Sequence, residues 1–466
     1  MSHRSYALTL ALLPAWAAAL APVSSCQKQD GQHLEGSVIQ PSARSDRPQD
    51  GGDAATIAGA DLPRYEPRFA SRSAKLAFVT DVRGRQRVWV LDCGTGELSP
   101  ASAEPGNQLA PDWDPDGKSV AYESDGDGDW DVHSVDLALG MVTGLSADLG
   151  DELRPAWSPD GTRLAFMRVT HHTTDPQTVY EILLRGVPTG TETPVAPPLN
   201  RAPPVPWYAG WHVSDRCTWS PRGTHVAVGG GGTGGYRVFD TNGRLVIDAP
   251  NAGWPSWSPD GKRIATWMYE PASGGEEWGH LEVRDVEGTG PSVCRDVISI
   301  CRFGDWWWSP SGDTLVSTAL AAPRSKAELA TFDGRAGLAF GRVGPPVTAS
   351  ASYQQGWGIR HVQWSPKGDC MTYVRITTRA AARNDQGIWV ADAAGAPLRR
   401  LAPLSTAFEN DPMTGRRAWS ADGHWIAYID TAGHKGWEVA SVDTYLINVD
   451  TGSVEDLSEK VRAQAQ

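Results

Sequence analysis

A short alternation of apolar and polar positions recurs along the chain, each time just after a tryptophan and a tight-turn tetrapeptide. At Trp157 it reads WSPDGTRLAF: a bulky aromatic, Ser-Pro-Asp-Gly, then a run with period two that predicts a half-buried strand. The same phrase opens at Trp113, Trp219, Trp257, Trp308, Trp364 and Trp419, and a worn copy ends in KLAF after Phe69. A second short strand follows each opening and closes on a polar turn at Asp92, Asp136, Asp240, Asp285, Asp333, Asp392 and Asp450. The unit begun by Trp157 carries Arg185 at that place. Openings and closings agree on eight units of about 45 residues each.

The turn chemistry explains the punctuation. Proline sets φ for the first turn residue, aspartate accepts from nearby amides, and glycine takes the positive φ that closes the turn. A unit this small cannot bury its own apolar face, so it must stack on its neighbours, and radial stacking leaves only short sheet edges exposed. The expected fold is an all-β propeller of four-stranded blades, with eight blades favoured and seven if the first and last units merge. The repeated tryptophans are expected to be packing plates between blades.

The phrase WSPDG-x-x-[IL]-A-[FY], followed by a strand such as IWVAD, resembles the propeller repeat of the TolB-like family of bacterial periplasmic proteins. The resemblance covers about residues 65 to 460 and implies four-stranded blades and a binding scaffold. A polar tether stands where TolB has an α/β domain, and the unit count exceeds six.

Residues outside the repeat refine this picture. Arg4, the apolar run Tyr6 to Ala21 and the small residues before Cys26 read as a removable export signal. The segment resembles a bacterial lipoprotein signal, with Cys26 as the lipidated residue and Gln27 suggesting outer-membrane sorting. The expected division is therefore 1–25 signal, 26–62 polar tether and 63–466 propeller. A small strand near the end of the tether stays open. The protein is expected in the cell envelope, facing periplasm or exterior, and touching membrane only through its lipid. A net charge of −13 offers nothing to nucleic acid.

Candidate chemistry is sparse. No G-x-S-x-G nucleophile motif occurs, which argues against the serine peptidases that carry similar propellers. Other propellers with similar repeats act as metal-assisted polysaccharide lyases, but His171, His172, His212, His280 and His361 show no chelating spacing. No catalytic residue and no cofactor are assigned, save a weak calcium site as a candidate. Trp207, Tyr208 and Trp211 sit together on a proline-rich insertion, where rigid aromatics either stack a glycan or peptide or cap the rim. SDGDGDWDV, residues 124 to 132, places Asp125, Asp127, Asp129 and Asp131 in alternation, as in calcium-binding turns, with Asp125, Asp127 and Asp129 as the candidate ligands. Its register fails the EF-hand pattern, and it aligns with the hairpin TDVRGRQRVWV of the preceding unit. Of six cysteines, Cys294 and Cys301 are close enough in sequence to pair, whereas Cys93, Cys217 and Cys370 read as small buried residues. The functional expectation is non-catalytic binding of an envelope protein or glycan, with a metal-assisted polysaccharide lyase or hydrolase in the central pocket as the alternative.

Overall fold

The computed structural model describes residues 57–58, 64–146, 150–171, 178–187, 189–200, 217–229, 235–250, 252, 255–270, 278–288, 291–294, 306–321, 326–333, 340–348, 359–375, 386–393, 397–404, 417–432 and 438–466. Within them each repeat phrase opens its own four-stranded antiparallel sheet, and there are eight such sheets. Blade 1 is built from Arg68–Phe69, Lys75–Val82, Arg85–Asp92 and Leu98–Pro100. Blade 2 follows with Gln108–Trp113, Ser119–Ser124, Asp131–Asp136 and Met141–Gly144. Blade 3 uses Asp151–Trp157, Arg163–His171, Thr178–Gly186 and Glu192–Asn200. Blades 4 to 7 open at Thr218–Trp219, Ser256–Trp257, Trp306–Trp308 and Ile359–Trp364. Blade 8 comprises Arg417–Trp419, Trp425–Ala432, Ser441–Asn448 and Val454–Asp456.

Strand alternation supplies the cohesion, because both faces of a blade are buried. In the second strand of blade 1, Ala77 and Val79 pack with Leu109, Val120 and Tyr122 of blade 2. Leu76 and Phe78 point the other way, onto Ala427 and Leu446 of blade 8. The first and last sheets thus close the ring by side-chain packing, each remaining built from contiguous chain. A helix at Leu457–Gln464 reinforces the joint by burying Leu457 and Val461 in the same cluster, its N-terminus capped by Asp456, which accepts from the Glu459 amide. This helix is an addition to the all-β reading. A two-residue strand, Ile57–Ala58, pairs antiparallel with Glu438–Val439, so the strand left open near the end of the tether exists. No helix among the described residues is long and apolar enough to cross a membrane.

The structure shows what the repeated phrase does. In blades 3 to 8 the turn glycine amide donates to the serine carbonyl three residues back, as from Gly161 to Ser158 at 2.9 Å and Gly261 to Ser258 at 2.8 Å, and in blade 2 Gly117 donates to Asp114 at 3.0 Å. The turn glycine has φ near +70°, and in blades 3, 4, 6 and 7 it rests on the turn proline of the preceding blade. A Cβ on Gly161 would lie 3.5 Å from Pro115, and one on Gly368 3.3 Å from Pro310. The tryptophan reaches back as well. In four blades its indole N–H donates to the carbonyl just before the equivalent aromatic of the preceding blade: Trp113 to Arg68 (2.8 Å), Trp219 to Ala156 (2.9 Å), Trp257 to Thr218 (3.1 Å) and Trp308 to Ser256 (3.0 Å). The Trp157, Trp364 and Trp419 indole nitrogens are buried without a hydrogen-bond partner among the described residues. Trp113 and Trp308 are buried, whereas Trp157, Trp219, Trp257, Trp364 and Trp419 are half-buried. In those four blades the plate is also a hydrogen-bonded staple between neighbours.

The closing aspartates cap the turn between third and fourth strands, Asp92 accepting from Gly94 and Thr95, and Asp240 from Asn242 and Arg244. In blade 8 that role falls to Asn448, which accepts from Thr451, and not to Asp450, whose carboxylate meets His424 Nδ1 at 2.6 Å. Asparagine satisfies the same turn amides, which is why a pattern keyed to aspartate lands two residues late.

Candidate functional site

Because strands alternate in direction, the Ser-Pro-Asp-Gly turns share one end of the ring. The hairpins between second and third strands share the other, together with the connections entering each first strand. First strands line the axis. An open cavity of about 330 Å³ is walled there by the first strands of blades 1 to 4, with Arg64, Glu66, Arg68, Asp112, Arg154 and Trp219 among its lining.

Two of these strands are bulged at the same place. Pairing shifts between Leu109 and Asp112 in blade 2 and between Leu153 and Ala156 in blade 3. Ala110 and Arg154, each three residues before the blade tryptophan, take φ of +50° and +59°. Such left-handed non-glycine residues are costly and cluster where a bulge re-aims side chains.

A fully buried carboxylate, Glu123, organises this wall. It accepts from Arg64 Nε at 2.6 Å and from the Arg154 backbone N–H at 2.6 Å, while the Arg64 guanidinium lies 4.1 Å from the Trp130 ring centroid. A buried charge demands this kind of compensation. Trp130 belongs to the acidic hairpin between the second and third strands of blade 2, so pocket and hairpin share a wall.

In that hairpin the structure gathers Asp127, Asp129 and Asp131, each offering an oxygen within 4.8 Å of the others. Asp125 from the sequence-derived trio is held elsewhere, accepting from the Asn107 amide at 2.5 Å and from Asn107 Nδ2 at 2.7 Å. Asp131 replaces it because strand pairing turns Asp131 inward at the base of the hairpin, opposite Ser124. Behind it stands Glu152, at the start of the first strand of blade 3, with Oε1 accepting from Arg168 Nε at 2.8 Å. Arg168 also donates to Glu192 at 3.0 Å. Burial raises the Glu152 carboxyl above the ordinary range, and Asp131 adds to this against the opposing pull of Arg168. Burial likewise raises Asp131, with the Asp127 and Asp129 charges adding to it.

Trp207, Tyr208, Trp211, Cys26, Cys301, His172 and His212 lie outside the described residues. Cys294 ends a strand of blade 5. Cys217 and Cys370 are buried and Cys93 is half-buried. Sequence reasoning missed Arg64, Glu123, Glu152 and Arg154. The one available signal was a charged residue shortly before a blade tryptophan, where the first strand faces the axis.

No curated protein matches the chain. Among solved structures, an oligogalacturonate lyase in complex with manganese is similar at 14% identity, covering 83% of this chain and 89% of that one, with a TM-score of 0.48. An oligogalacturonate lyase from Vibrio parahaemolyticus is similar at 12% identity, covering 85% and 92%, with a TM-score of 0.47. TolB from Acinetobacter baumannii is similar at 17% identity, covering 56% and 61%, with a TM-score of 0.33. Residues 43–187 match the family model of the TolB beta propeller domain, and the described residues form a β-propeller of four-stranded blades whose N-terminal part is similar to that domain.

Proposed function

We propose that the protein is a binding propeller of the bacterial cell envelope, taking a protein segment or glycan at the axial cavity of blades 1 to 4. The cavity itself carries this reading: about 330 Å³, open, and lined by three arginines, two carboxylates and indole edges held on, or just before, the first strands of four consecutive blades. Convergent polar groups on rigid strands beside apolar faces are the makings of a specific binding site. A charged wall of both signs suits a polar ligand rather than a lipid. The lipoprotein signal resemblance supports a location at the envelope, with Cys26 as the proposed lipid anchor.

The test is affinity capture from detergent-solubilised envelope with the parent and with Arg68→Glu/Arg154→Ser. Arg68 is part-exposed and the Arg154 contact to Glu123 runs through its backbone, so both proteins should fold alike by circular dichroism. A protein or glycan enriched by the parent and lost with the variant supports the reading. Equal capture by both removes the cavity from the binding site.

A further inference from the structure

We propose that the hairpin of blade 2 is a calcium site, formed by Asp127, Asp129 and Asp131 with Glu152 of blade 3 behind them. Neighbouring carboxylates alone are no argument, since exposed ones are satisfied by water. Here two are inside the protein: Asp131 is 4% exposed and Glu152 0%. Asp131 Oδ1 and Glu152 Oε2 are buried and meet no hydrogen-bond donor. Both belong to carboxyl groups that face each other, and Asp131 in turn faces Asp127. Buried anionic oxygens without a donor are costly, and Arg168, already shared between Glu152 and Glu192, supplies one positive charge against the group. A divalent cation at the Asp127, Asp129 and Asp131 oxygens would neutralise the charge that Asp131 turns toward Glu152.

The dimensions fit. Calcium binds oxygen at about 2.3–2.6 Å, so two of its ligands can stand no more than about 4.6–5.2 Å apart. The three aspartate oxygens fall within 4.8 Å of one another. All donors are hard carboxylate oxygens, with Asp127 exposed and Asp129 half-buried, leaving water to complete the shell. Gly106 shows how closely the neighbouring connection supports the hairpin: with φ of +84°, a Cβ there would come within 2.6 Å of Asp125 Oδ1. The consequence of binding would be local. A cation at the base of the hairpin would fix Trp130, whose ring lies against Arg64 in the cavity wall.

Calcium chloride is the probe, titrated by calorimetry at pH 7.5 into metal-stripped parent and into Asp127→Asn/Asp129→Asn. Thermal unfolding is followed in parallel in 5 mM calcium, 5 mM magnesium or EDTA. These substitutions lie at the outer part of the hairpin, and the parent melting point in EDTA controls for folding. The expected result is one saturable site on the parent, with a dissociation constant of about 10⁻⁴–10⁻³ M as in extracellular modules. Calcium should also raise the parent melting temperature, and the variant should show neither effect. Absence of saturable heat on the parent, equal binding by the variant, or an equal shift with magnesium overturns the proposal. In the first case a shared proton, and no metal, accounts for the Asp131 and Glu152 oxygens.

Discussion

Removing Trp308 tests the staple reading most sharply, because this side chain is 7% exposed and makes three kinds of contact at once. Its indole N–H donates to Ser256 at 3.0 Å. The Arg263 guanidinium lies 4.8 Å from its ring centroid while donating to the Gly312 carbonyl of the adjoining turn at 2.7 Å. Trp308→Ala should cost about 3–5 kcal/mol, the range for truncating a buried aromatic. It also leaves the Ser256 carbonyl without its indole donor. Trp308→Phe keeps most of the apolar contact and loses the hydrogen bond, for about 1–2 kcal/mol. Trp257→Ala should fall below Trp308→Ala, since Trp257 is only half-buried although its indole bonds to Thr218 in the same way. Urea unfolding followed by circular dichroism, with a common slope across the series, gives the ranking. An Ala variant within about 0.5 kcal/mol of the parent would refute burial between blades. A Phe variant as damaged as the Ala variant would assign the effect to the hydrogen bond alone.

Three further outcomes follow from the same geometry. Deleting the chain after Asp456 takes Leu457 and Val461 out of the joint between blades 1 and 8. At about 1.5–3 kcal/mol per buried aliphatic side chain this costs about 3–6 kcal/mol, read as a lower urea midpoint, and an unchanged midpoint would show that the ring closes without the helix. The turn aspartates govern the acid side. The Ser258 hydroxyl and the Lys262 amide hold the Asp260 carboxyl below its ordinary range, and Asp422 is lowered by Ser420 and His424 against an opposing contribution from burial. A carboxyl depressed in the folded state stabilises above its unfolded pKa, and that stability fades as pH falls through the folded value. Asp260→Asn should therefore lower the melting temperature at pH 7 more than at pH 3, and an equal effect at both would contradict the assignment. Gly106→Ala should cost about 1–2 kcal/mol from the left-handed backbone alone, with the close approach to Gly126 adding to it, visible as a lower melting temperature.

The fold was legible because its determinants are local and repeated. Each Ser-Pro-Asp-Gly turn, strand alternation and closing aspartate lies within one unit, and all eight units carry enough of the signature to be counted. Even the worn copy at Phe69 forms its strand, since the aromatic there needs only to pack and the indole bond comes from Trp113 of the next blade. The helix at Leu457–Gln464 was readable in principle: Asp456 followed by Glu459 is a helix-start signal, and Leu457 and Val461 fall one turn apart. A strand-repeat reading carried to the last residue passes over it. The site was less legible for a different reason. Arg64 and Glu123 are 59 residues apart, and Glu123 and Arg154 are 31 apart. Each is an ordinary charged residue in its own segment until the ring brings the first strands of blades 1 and 3 beside blade 2. The acidic hairpin was recognised by its composition, yet Asp125 was chosen over Asp131, because only strand pairing decides which aspartate turns inward.

The central claim, binding at the axial cavity, is tested most directly by titrating the captured envelope partner into three proteins and comparing dissociation constants. These are the parent, the cavity variant Arg68→Glu/Arg154→Ser, and Lys118→Glu/Lys262→Glu, whose exposed lysines follow Ser-Pro-Asp-Gly-type turns and lie outside the cavity lining. The account predicts at least tenfold weaker binding for the cavity variant, about 1.4 kcal/mol, and parent-like binding for the lysine variant. Unchanged affinity in the cavity variant with loss in the lysine variant would place the binding face on the exposed turns outside the cavity and contradict the account.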